Sequence, residues 1–322
     1  WGQGLLEEQK FYHLTREWLE KEAFGGRRRV NLTNKSHSGA SINLRPYETQ
    51  ALEKAEISEA EFFHREVNLS FPSIRAQLGA ARKLYENPAT VDLMMLSGGI
   101  TDVRLTTILN PLKDNDELRG EIARNCGEEM FRLLEDAAAR FPNALIAVVG
   151  YYPFLSRQTP ASVIFNNLLE MYEVAPPLKA LINNPLNRSL LGRYRKKMIE
   201  RSMIWWHDST REYQKAVARL NEKFDRPRAV FVRSPITEEN SMGTKNPLLY
   251  EVGRKGRAAD ARAAERKAVC KQTLDQLREQ TDLKFRTRTC ELATVGHPNP
   301  EGARAYAEAI RKSLSPFFQS ET

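Results

Sequence analysis

A histidine near the end of the chain, His297, stands in the segment Gly296-His297-Pro298-Asn299-Pro300-Glu301-Gly302, which runs directly into helical spacing over residues 303–314. Imidazole exchanges protons near neutral pH, and a Gly/Pro-rich turn ahead of a helix can hold the ring rigidly at the end of a strand. That is where a general base belongs. Two further segments combine small and hydrogen-bonding residues: Ser36-His37-Ser38-Gly39-Ala40 and Ser97-Gly98-Gly99-Ile100-Thr101-Asp102-Val103. Glycine lets backbone N–H groups approach a substrate oxygen, and a neighbouring side-chain donor completes an oxyanion hole. Gly39 and Thr101 are the expected donors. Local turn capping is the ordinary role of Ser36, Ser38 and Ser97. His37 is expected to hydrogen-bond within its loop, whereas His13, His64 and His207 lie in patterns that give no reason to choose them.

The elements that must position these groups follow from periodicity. Four short runs rich in apolar and β-branched residues read as strands, over residues 29–33, 91–96, 145–150 and 229–233. Helical spacing separates them over residues 5–23, 71–85, 121–140 and 303–314, with a second, strongly charged helical stretch over 258–277. Alternating strands and helices predict an α/β fold with a doubly wound parallel sheet, in which ligands gather at the carboxyl ends of the strands. The candidate residues all follow expected strands. Residues 154–224 contain helical patterns at 181–206 and 209–224 and no good strand, and are expected to form a helical insertion or cap. Trp205 and Trp206 there read as packing residues, with a pocket lining or a lipid contact as the alternative.

With 322 residues and 41% apolar content the chain can bury a sizeable core, and its apolar runs are too short for a membrane span. Net charge is +8, carried in part by Arg27, Arg28 and Arg29, by the run from Arg193 to Lys197 and by Arg254 to Arg257. These clusters are scattered among acidic neighbours and read as solvated faces, so specific nucleic-acid binding is not expected. Cys126, Cys270 and Cys290 match no metal spacing, and a Cys270–Cys290 bridge stays open. Gly2-Gln3-Gly4 lacks the strand and third glycine of a dinucleotide fingerprint. No metal or cofactor is expected.

In order and position these segments resemble the SGNH, or GDSL-type, hydrolases, a superfamily of esterases and lipases. Gly39 is similar to the glycine of the family's second block. Gly99-Ile100-Thr101-Asp102 resembles its third-block Gly-x-Asn-Asp, and His297 with Pro298-Asn299 resembles its fifth-block histidine. Trp1-Gly2-Gln3-Gly4-Leu5 is similar to the tail just beyond the first block, whose Gly-Asp-Ser nucleophile motif is absent from these residues. The resemblance implies a single domain over residues 1–322, lacking its first strand and preceded in nature by more chain. It also implies a small-molecule or lipid ester substrate and a serine acyl-enzyme mechanism, with His297 as base, Gly39 and Thr101 as oxyanion donors, and His37, Ser38, Gly99, Asp102 and Asn299 in the site loops. Asp102 is expected to order a loop rather than join a proton relay. Two departures stand out: Thr101 replaces the third-block asparagine, and Thr294 stands where the family's acid precedes the histidine. A non-catalytic member that binds a carbohydrate, lipid or protein is therefore the alternative.

Overall fold

The computed structural model describes residues 4–59, 70–160, 163–164, 188–253, 257–258, 263–280, 287, 290 and 294–318. In chain order the main elements are α1 (Phe11–Trp18, continued by a π turn), α2 (Pro46–Lys54), α3 (Ile74–Arg82), β1 (Leu93–Leu96), α4 (Ile100–Val103) and α5 (Leu105–Ile108). There follow α6 (Asn115–Ile122), α7 (Met130–Arg140), β2 (Leu145–Val149), α8 (Arg188–Asn221), β3 (Ala229–Val232), β4 (Val252–Gly253), β5 (Arg257–Ala258), α9 (Ala263–Gln280) and α10 (Pro300–Phe318).

Three parallel strands in the order β1-β2-β3 make the main sheet. Every residue of β2 is buried. A strand without an exposed side chain must be covered on both faces, and two helix groups do this. One is α1 packed on α10; the other is α6 and α7 packed on α8. The protein is thus an α/β fold with a small parallel sheet flanked by helices. The expected strands at 91–96, 145–150 and 229–233 are β1, β2 and β3, each slightly shorter than its apolar run.

The expected strand at 29–33 is not one. Its residues form no ladder: Val30 N–H donates to the Glu20 carboxylate at 2.8 Å, and Tyr85 Oη donates to Thr33 Oγ1 at 2.8 Å. β-Branched composition suits a strand, yet a strand exists only where a neighbour completes its hydrogen bonds. β1 reflects the same geometry, with all four residues only half-buried.

The helical patterns at 181–206 and 209–224 merge. From Arg188 the chain is one helix of 34 residues, α8, which forms a structural layer against α6, α7 and β3. Its Trp205 is fully buried in the main core and Trp206 nearly so. The remainder of the expected cap, apart from residues 154–160 and 163–164, lies outside the described residues, as do His64 and Gly2-Gln3. Cys270 and Cys290 form a disulfide with a Cα separation of 5.8 Å, inside a smaller core with Leu52, Phe71, Leu274 and Leu277. Cys126 is a buried free thiol. No described helix is long and apolar enough to cross a membrane.

Candidate active site

The histidine turn is held by its own sequence. Gly296 has φ +81°, a left-handed conformation that favours glycine. Asn299 caps α10: its Oδ1 accepts from Gly302 N–H at 2.9 Å, and its Nδ2 donates to Pro247 O at 2.7 Å. Pro300 takes the first helical position, where its missing N–H costs nothing. Gly302 packs against the 248 carbonyl so closely that a Cβ there would sit 2.2 Å from Leu248 O. Tyr250 brackets His297 by backbone bonds, donating to His297 O at 2.8 Å and accepting from Gly296 N–H at 2.9 Å.

Buried tyrosines then tie this turn and the flanking helices to the carboxyl ends of the strands. Tyr152 Oη donates to Gly296 O at 2.5 Å, and Tyr306 Oη bonds Gly150 O at 2.9 Å and Ser234 Oγ at 2.7 Å. From α8, Tyr213 Oη donates to Gly98 O at 2.7 Å. Burial pushes all three phenols well above the usual tyrosine range, so they remain neutral donors. Tyr152 directly follows an expected strand, but nothing in the sequence pattern marks Tyr213 or Tyr306 for this role. Aromatic residues at helical spacing look like core, and only their partners reveal the polar role.

Into this frame comes Ser38. Its Oγ lies 3.1 Å from His297 Nε2, a hydrogen bond across 259 positions of sequence whose direction depends on the imidazole tautomer. The expectation that Ser38 merely caps a turn is corrected by this contact. Ser36 does cap locally, bonding Asn34 Oδ1 through both N–H and Oγ, and Ser97 Oγ bonds Val149 O between adjacent strand ends. Ser38 is 3% exposed and His297 partly exposed, so the pair meets solvent from the histidine side. Gly39 follows Ser38 in the turn at φ +82°. His37 is buried beside them, whereas His13 bonds Glu7 and His207 is exposed, stacked on Trp206.

Asp102 positions the serine segment from the second glycine loop. Both its carboxylate oxygens accept from Ile42 N–H, at 3.0 and 3.1 Å, four residues beyond Ser38. Burial pushes its carboxyl up to about 6, against the lowering effect of these N–H groups and of Arg45. Asp102 therefore orders a loop, and that loop is the serine's. The segment is further tied by Ser41 N–H to Ser70 O at 2.9 Å and by Ile74 N–H to Ser41 O at 2.8 Å. Beneath it, Glu48 is fully buried and accepts from Ser70 Oγ and from Arg45 N–H, and burial raises its carboxyl.

Thr101 is placed less favourably. It lies in the first turn of α4, its carbonyl accepts from Arg45 Nη2 at 2.8 Å, and none of the described hydrogen bonds joins it to Ser38 or His297. Gly99, at φ +105°, abuts Cys126 Sγ and Tyr213 Oη, each 3.0 Å from where a Cβ would stand. Thr294 is fully buried and its Oγ1 makes no hydrogen bond among the described residues, while its carbonyl accepts from His297 N–H at 2.9 Å. It shapes the turn and supplies no acid.

One polar feature was invisible in the sequence. Arg201 of α8 is fully buried, and its guanidinium donates to the carbonyls of Thr107, Ile108, Lys113 and Asp114 and to Asn115 Oδ1, at 2.7 to 3.2 Å. A buried cation is costly unless its donors are satisfied, and here backbone oxygens satisfy it and fix the loop after α5. Between α4 and α5, Arg104 has φ +68° and ψ 127°, a conformation that costs a non-glycine residue on the order of 1–3 kcal/mol.

No family model, curated protein or solved structure matches this chain. Among the described residues no group of three or more His, Cys, Asp and Glu side chains is arranged to hold a metal ion.

Proposed function

We propose that this protein is an ester hydrolase of the SGNH type, in which His297 is the general base and Ser38 the hydroxyl that it activates. The observation that carries the reading is the 3.1 Å contact between Ser38 Oγ and His297 Nε2 at the carboxyl end of a parallel sheet. Removal of the serine proton by the imidazole as Oγ attacks an ester carbonyl gives a tetrahedral oxyanion. Collapse expels the alcohol, which takes the proton from His297 and leaves an acyl-serine that water hydrolyses. The Gly39 turn presents backbone beside the nucleophile, as an oxyanion donor requires. Tyr250 Oη also donates to Gly4 O at 3.3 Å, which brings the segment resembling the tail just beyond the family's first block next to the histidine turn.

Short-chain p-nitrophenyl esters test this directly. Ser38→Ala and His297→Ala are each expected to lower kcat/KM by about 1,000-fold or more, and together hardly further, because the pair acts as a unit. A fluorophosphonate should label Ser38. Wild-type turnover in His297→Ala removes the histidine from the mechanism; turnover and labelling that survive in Ser38→Ala assign the nucleophile to another serine. Thr294 favours a second reading, a non-catalytic protein of this fold that binds a carbohydrate, lipid or protein, because the family's acid position holds a buried hydroxyl. A folded wild type without turnover or labelling would select it.

A further inference from the structure

A cleft of about 410 Å³ opens beside Asp102, between residues 43–46, the α4–α5 junction and α6. Its walls are polar and its charges do not cancel locally. Lys113 pairs with Glu117 at 2.5 Å and Arg124 with Glu121 at 2.5 Å, while Asp102 is engaged by Ile42 N–H. Two guanidinium groups remain. The Arg45 guanidinium bonds only neutral oxygens, Thr101 O and Tyr47 Oη, although it stands near the Asp102 and Glu48 carboxylates, and the Arg104 guanidinium makes no ion pair or hydrogen bond among the described residues, where only the Arg104 backbone is bonded.

Arg104 is also the residue held in the left-handed region, where glycine would be strain-free. Backbone strain at an exposed arginine gains nothing for packing. It does fix the direction in which the side chain leaves the backbone. The opposing wall is fixed too, since Arg201 clamps the carbonyls of Thr107 and Lys113, both of which line the cleft. A polar cavity with two guanidinium groups that make no ion-pair contact among the described residues fits a ligand that brings the anion, because planar guanidinium groups match the paired oxygens of carboxylate and phosphate.

We infer that this cleft binds a small ligand bearing a carboxylate or phosphate group, held by Arg104 and Arg45. The inference does not depend on ester hydrolysis, and its readout is binding alone.

Isothermal titration of the full chain with inorganic phosphate, and separately with glucuronate, tests it and distinguishes the two anions. At least one should bind saturably with one site. Arg104→Gly should weaken that binding by about tenfold or more, the loss expected for one charge-assisted hydrogen bond, while leaving thermal stability unchanged or raised because the strain is relieved. Arg45→Gln should weaken it similarly. Arg219→Gln, which removes a surface arginine paired with Glu128 elsewhere, should leave it unchanged. Absence of saturable binding by either anion overturns the inference, as does binding that Arg104→Gly leaves intact or that Arg219→Gln weakens equally.

Discussion

The histidine and serine halves of the site are built in opposite ways. His297 sits in a turn specified residue by residue and cross-tied by Tyr250, Tyr152 and the Asn299 cap, almost entirely with neutral partners. Ser38 sits in a turn outside any strand, and the bonds nearest it include a titratable one, from Ile42 N–H to Asp102. A frame of neutral hydrogen bonds is insensitive to pH, whereas a loop pinned by a buried carboxylate carries pH dependence into the geometry around Ser38. The contrast teaches that the same site can have one rigid and one adjustable half.

The largest effect that would break this comparison is at Asp102. Its folded-state carboxyl titrates near 6, above the ordinary 3.8, so the folded protein binds the proton more tightly than the unfolded chain does. Stability from this group is therefore present at low pH and declines as pH rises from about 4 through about 6, by about 3 kcal/mol. Chemical denaturation across that window should show the slope in the wild type and a clearly smaller one in Asp102→Asn, with the buried Glu48 carboxyl, also raised, supplying the remainder. An unchanged slope would move the titration elsewhere and remove the asymmetry.

Gly302→Ala probes the histidine half. The new Cβ would meet a backbone carbonyl at 2.2 Å, which cannot rotate away, so a loss of about 1–3 kcal/mol is expected, read as a lower Tm, together with displacement of His297 and reduced turnover. Asn299→Ala removes the cap and should cost about 1 kcal/mol at every pH from 4 to 8. A pH-dependent Asn299→Ala penalty would contradict the neutrality of that half.

Much of this was legible in the chain itself. The residues from Gly296 to Gly302 announce a left-handed turn, a cap, a proline start and a close helix contact, and each is a local rule obeyed. The same holds for β1, β2 and β3, whose apolar runs need only a neighbour. The stretch at residues 29–33 shows where local reading ends, since its composition suits a strand and its surroundings supply no ladder. Ser38 belongs to the expected site loop, yet its local pattern suits a turn cap as well as that of Ser36 does, and its partner lies 259 positions away.

Sequence alone therefore determined the alternation of helices and strands and the histidine turn, because periodicity, capping and glycine conformation act within a few residues. Tertiary structure alone decided which serine meets His297, that Asp102 serves the serine's loop, and that Arg201 is buried among carbonyls. Those pairings join residues from 60 to 259 positions apart, and only the packed sheet and helices bring their atoms within hydrogen-bond distance.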